Sequence, residues 1–223
     1  MWIKICANTN LDDAQAAAAL GADAVGFVFA PSKRQVTAAQ VAVITPHLPP
    51  SVERVGVFSG TDVEAIASAA EQAGLTAIQL HGGIDLALAH SLQSRLGPKI
   101  AIIPTTHWTV GENQQTTEAK VAQDLAALAA DPANYRLLID AKVGKTSGGL
   151  GVSYDWTHAR PILQAHPTIR VIVAGGLQPD TVAQAIKVLR PYGVDVASGV
   201  EEVPGKKSYA KLEAFIKAAR GAS

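Results

Sequence analysis

The chain has 223 residues, 48% of them apolar and 17% charged, with 19 Lys plus Arg balancing 19 Asp plus Glu. That length suits one sizeable core, and the balance excludes a global field drawing nucleic acid or an anionic membrane, so any anion site must be local. One cysteine rules out an internal disulfide and a Cys-x-x-Cys zinc site, and the six histidines show no paired metal-ligand spacing either.

No apolar run reaches the roughly 20 residues of a membrane span, and Met1-Trp2-Ile3-Lys4 does not open a leader-like pattern. The expectation is a cytoplasmic protein with no membrane or nucleic-acid partner.

Along the chain, short β-branched runs alternate with Ala-rich amphipathic stretches, the pattern of repeated β-α units. Strand-like runs begin near Trp2, Ala24, Arg54, Thr76, Lys99, Tyr135, Arg170 and Val194, each followed by a helical segment. Gly21, Gly74, Gly97 and Gly193 stand where helix C-caps need positive φ, and Asn10, Thr37 and Asp180 where N-caps belong. No linker-like stretch divides the sequence, so one domain over 1–223 is expected. Eight units of about 28 residues predict a single α/β domain, a (β/α)₈ TIM barrel. An open doubly wound sheet shares these local signals, but its glycine fingerprint is missing after the first strand, where Ala7-Asn8-Thr9-Asn10 stands.

Alternation along the strands separates two faces. Ile3 and Ile5, Val55 and Val57, Ile78 and Leu80, Leu137 and Ile139, and Val194 and Val196 read as the aliphatic outward set. The inward set is then Lys4 and Cys6, Arg54 and Gly56, Gln79 and His81, Leu138 and Asp140, and Asp195 and Ala197. Polar groups ending inward-facing strands converge at the C-terminal mouth, where barrel enzymes place their chemistry. His47, His90, His107, His158 and His166 read as surface residues. Trp156 and Tyr154 read as packing groups, while Trp108 fits either role.

Two late segments are suited to phosphate: Val173-Ala174-Gly175-Gly176-Leu177, with Pro179 and Asp180 opening the next helix, and Ala197-Ser198-Gly199-Val200-Glu201. Glycines let backbone N–H groups approach an anion after the seventh and eighth strands, where barrels commonly grip phosphate. The stretch from Lys142 to Ser153 carries Gly144, Gly148, Gly149 and Gly151 and reads as a lid or a flexible insertion.

These residues, in this order, resemble the phosphoribosylanthranilate isomerase family of tryptophan biosynthesis across essentially the whole chain. The resemblance rests on Lys4-Ile5-Cys6 with Thr9, Gly21 to Phe29 followed by Ser32-Lys33-Arg34, Val55-Gly56-Val57-Phe58 and Gln79-Leu80-His81-Gly82. Leu138-Ile139-Asp140 ahead of Gly148-Gly149, Ala174-Gly175-Gly176-Leu177, Val194 to Glu201 and Pro204-Gly205-Lys206-Lys207 complete it. The resemblance implies Cys6 as general base, Asp140 as general acid and Arg34 as partner of the anthranilate carboxylate. It places Asp195 on the sugar, with Gln79 and His81 lining the site and Gly175, Gly176, Ser198 and Gly199 on the phosphate.

The implied reaction is an Amadori rearrangement of a small phosphorylated aminoaldose without metal or cofactor, by a monomer or homodimer. Ala7 replaces the glycine usual after the cysteine, and Leu150 and Val152 depart from the usual Gly-Gly loop. Rival readings are another phosphosugar barrel, such as a ribulose-phosphate epimerase or indole-glycerol-phosphate synthase relative, or a phosphate-ligand binder without catalysis.

Overall fold

A computed structural model describes residues 1–111, 113–133, 135–143, 146–147 and 154–222, with the backbone alone at 146 and 147. Gly144, Gly148, Gly149, Leu150, Gly151 and Val152 lie outside the described residues. Eight parallel strands form the barrel wall: β1 (Trp2–Ile5), β2 (Ala24–Val28), β3 (Glu53–Phe58), β4 (Ala77–Leu80), β5 (Ala101–Val110), β6 (Arg136–Val143), β7 (Arg170–Val173) and β8 (Gly193–Val196). Each pairs with its sequence neighbour, and β8 pairs back onto β1 through Lys4 and Asp195, which closes the sheet.

Among the described residues the helices α1 (Leu11–Ala19), α2 (Ala38–Ala42), α3 (Val63–Gln72), α4 (Leu86–Leu96), α5 (Gln114–Ala129), α6 (Trp156–Gln164), α7 (Val182–Leu189) and α8 (Tyr209–Gly221) alternate with the strands. None is long and apolar enough to cross a membrane. Local chemistry sets their ends. The Asn10 side chain accepts from the Asp13 N–H, and Thr37 makes a reciprocal capping box with Gln40. Two expectations need correction here. Thr181, not Asp180, is the N-cap of α7. Gly193 opens β8 without a positive φ, and the left-handed residue ending α7 is Arg190; glycine at 193 serves close packing, because a Cβ there would sit 2.7 Å from the Trp2 carbonyl.

The barrel has two apolar compartments. Ile3, Ile5, Ile78, Leu80, Leu137, Ile139, Val194 and Val196 pack outward against the helices as expected. Inside, Trp2, Ala24, Val55, Ala77, Ile103, Leu138, Ile172 and Ala174 form a separate cluster.

Strand β3 runs one residue out of the expected phase. Val55 belongs to the interior and Val57 to the mouth, whereas Arg54 lies at the rim donating to the Gly74 carbonyl at 3.0 Å. A Cβ at Gly56 would collide with Leu75 and Phe58 in the outer layer. Both phases of Arg-Val-Gly-Val offer an apolar member, so tertiary packing decided between them. The guanidinium that does enter the barrel base is Arg136, which pairs with Glu53 at 2.9 and 2.6 Å and stacks over Trp2 at 5.0 Å.

Candidate active site

At the C-terminal ends of the strands lies a cavity of 370 Å³, within the range of small-molecule sites. Cys6, Arg34, Gln79, His81, Asp140, Gly175, Gly176, Asp195, Ser198 and Gly199 all line it, so the ten residues singled out from the sequence share one chamber.

Its floor is built around Lys4, which is 0% exposed. An ammonium there is stable only with partners, and Nζ donates to Gln79 Oε1 and Asp195 Oδ2, both at 2.9 Å. Burial lowers the Lys4 pKa, but its partners, the Asp195 carboxylate first, outweigh it and raise the ammonium above its ordinary value. Gly26 makes room, since a Cβ there would lie 2.8 Å from Cys6 Sγ and 2.9 Å from Lys4 Cε.

Cys6 follows β1 directly, with its N–H bonded to the Val196 carbonyl at 2.8 Å. Burial pushes its thiol up, Lys4 pulls it down, and burial wins. Ala7, the next residue, sits at φ 62, the left-handed region where glycine would carry no Cβ penalty.

Across the mouth Asp140 is 5% exposed, with His81 Nε2 at 3.7 Å from its Oδ2. His107 is its register partner on β5 and meets the His81 ring edge-on at 5.0 Å. The reading of His107 as a surface residue is therefore wrong. It continues the inward alternation of Ile103 and Thr105, a signal present in the sequence but obscured by Pro104 inside a ten-residue strand. Burial holds both imidazoles down to a pKa of about 4, with Lys4 and Lys142 adding to it at His81 and His81 and Lys142 at His107, so both are neutral at pH 7. Trp108 resolves as core, stacked on Tyr154 at 5.2 Å.

The two glycine segments meet at the far wall. Gly175 and Gly176 have φ of 87 and 66, and a Cβ at Gly175 would lie 2.5 Å from Ala141 Cβ. A Cβ at Gly199 would collide with the Leu177 carbonyl, so the loops after β7 and β8 are in backbone contact beside the cavity. Ser198–Val200 forms a single 3₁₀ turn. Arg34 enters from the β2–α2 segment, held by Glu201 through Nε and Nη2. The sequence offered Glu201 only as the end of the second phosphate segment and Lys207 only as part of a motif; pairing between a loop and a distant hairpin has no periodic signature. No group of three or more His, Cys, Asp or Glu that could hold a metal occurs among the described residues.

A closed barrel whose mouth joins buried acid–base groups to glycine-lined backbone is the architecture of an α/β-barrel enzyme. The family model for N-(5'phosphoribosyl)anthranilate (PRA) isomerase matches residues 3–218, and the chain belongs to that family. An N-(5'-phosphoribosyl)anthranilate isomerase of Magnetococcus marinus is 40% identical over 221 residues, covering 99% of this chain and 95% of that protein. The Thermotoga maritima phosphoribosyl anthranilate isomerase crystal structure has a TM-score of 0.82 and 36% identity, covering 99% of both chains. A phosphoribosyl anthranilate isomerase crystallised with reduced 1-(o-carboxyphenylamino)-1-deoxyribulose 5-phosphate is similar at a TM-score of 0.80, with 36% identity and 99% coverage of each chain.

Proposed function

We propose that this protein, as one domain over 1–223, isomerises N-(5-phosphoribosyl)anthranilate to 1-(2-carboxyphenylamino)-1-deoxyribulose 5-phosphate, the third step of tryptophan biosynthesis after chorismate. The observation that carries the reading is the convergence of Cys6, Asp140, Arg34 and both glycine segments on one cavity, in a chain of this family.

Asp140 is the general acid. Its proton passes to the ribose ring oxygen, the C1′–O bond breaks, and the anilino nitrogen supplies the electron pair that makes a protonated Schiff base. Cys6 is the general base that removes the C2′ proton, giving an enolamine that tautomerises to the ketone. In the substrate-free site burial keeps the thiol protonated. The iminium formed in the first step adds a positive charge beside Lys4, and both favour the thiolate. Acid catalysis thus precedes and enables base catalysis.

Neutral His81 and His107 surround Asp140 without placing a permanent cation against it. Gly175, Gly176, Ser198 and Gly199 receive the phosphate through backbone N–H groups; Asp195, Gln79 and His81 face the sugar, and Arg34 takes the anthranilate carboxylate. The reaction needs no external oxidant, reductant or cofactor, and the site works in the cytoplasm in a monomer or a homodimer. Purified protein should discharge the fluorescence of freshly formed N-(5-phosphoribosyl)anthranilate with saturation kinetics. Absence of turnover would remove the assignment while leaving the barrel intact.

A further inference from the structure

Glu201 and Lys207 have no part in the acid, base or phosphate roles above, yet they are among the most buried charges of the protein, at 5% and 4% exposure. Glu201 takes Arg34 side on. Nε donates to both carboxylate oxygens at 2.9 and 3.0 Å, and Nη2 donates to Oε2 at 2.6 Å. The Gly205 N–H and Lys207 Nζ each reach Oε1 at 3.3 Å. Lys207 also donates to the carbonyls of Cys6 at 2.6 Å and Ala197 at 3.2 Å.

Arg34 stands on an exposed segment, flanked by exposed Lys33 and Gln35, and lines the cavity mouth. A long side chain on such a loop samples many rotamers unless something holds it. The bidentate pair removes that freedom and engages Nε and Nη2 while leaving Nη1 outside the pair. Charge matters as much as geometry. Glu201 offsets the charge of Arg34 and so weakens its pull on a carboxylate; Lys207, 3.3 Å from Glu201 Oε1, brings a second cation to the trio.

We propose that Glu201, itself held by Lys207, is a positioning residue that aims Arg34 at the carboxylate of the ligand's aromatic ring and so sets specificity for an ortho-carboxylated anilino group. The same lysine ties this grip to the backbone of Cys6, so carboxylate recognition and placement of the thiol share one anchor. The inference rests on the substrate class proposed above.

The test compares two ligands: reduced 1-(o-carboxyphenylamino)-1-deoxyribulose 5-phosphate and the same molecule without its carboxylate. Binding of each to wild type and to Glu201→Gln is measured by calorimetry. The carboxylated ligand should lose about tenfold or more in affinity, the loss of a charge-assisted bidentate constraint, while the decarboxylated one changes less than about twofold. Glu201→Asp keeps the charge and reads the same contrast should the glutamine variant not fold. Equal loss for both ligands would mean a merely structural role and overturn the inference. So would tighter binding of the carboxylated ligand, which would make Glu201 a competitor for Arg34. If wild type binds neither ligand, the functional reading falls and takes the inference with it, a result distinct from equal losses.

Discussion

Replacing Lys4 with Met removes a charge 0% exposed and leaves Asp195, 8% exposed, without its 2.9 Å partner. Breaking one side of a buried ion pair costs about 3–5 kcal/mol because the remaining charge stays desolvated. In a protein of 223 residues each kcal/mol shifts Tm by about 2–4 °C, so the variant should melt roughly 6–20 °C lower. Gln79 loses a hydrogen bond as well, and Cys6 loses the cation that opposes burial, so kcat should fall about 100-fold, within the range of general-base contributions.

The two effects separate in the double variant Lys4→Met/Asp195→Leu. An apolar replacement of both partners restores most of the melting temperature but not the activity. Circular dichroism melts at pH 7 and single-turnover fluorescence decay read the two quantities. A single variant melting within 2 °C of wild type and retaining half its activity would refute the view of Lys4 as the organising charge of the floor, on the few-degrees-per-kcal scale.

The neutral histidines predict an acid-labile mouth. His81 and His107 have pKa values depressed to about 4 from 6.5, so the unfolded chain binds more protons below pH 6.5, and their contribution, full above pH 6.5, drains away as pH falls toward 4. Each contributes about 3 kcal/mol at most, less at His107, which is less buried. His107→Asn should flatten the fall in urea midpoint between pH 6.5 and 4.5, and an unchanged slope would contradict the burial argument. Ala7→Gly should stabilise the protein by about 0.5–1 kcal/mol in urea unfolding, since φ 62 suits glycine, whereas Gly175→Ala, at φ 87 against Ala141, should destabilise it by more than that.

Much of the barrel was legible because each strand and helix carries its own period, and the pairing of β8 with β1 needs only eight such units. The predicted strand starts lie within two residues of those observed. Legibility failed where two packings were locally equivalent or where a contact joined distant segments. At β3 the alternation of Val55 and Val57 satisfies either face, and Leu75 and Phe58 settle it by packing over Gly56. At β5 the proline concealed a strand long enough to carry His107 to the mouth. The inward positions of Cys6, Gln79 and Asp140 were readable from strand phase, but the Arg34–Glu201–Lys207 trio spans 173 positions of chain, from 34 to 207, and only folding brings it together.

The most direct test of the acid–base account is the activity of Cys6→Ala and Asp140→Asn alongside their affinity for inorganic phosphate. Both variants should lose turnover of N-(5-phosphoribosyl)anthranilate by about 10²-fold or more and bind phosphate as wild type does, because Gly175, Gly176, Ser198 and Gly199 are untouched. A fully active Cys6→Ala would contradict the account outright, since a group other than Cys6 would then have to take the C2′ proton.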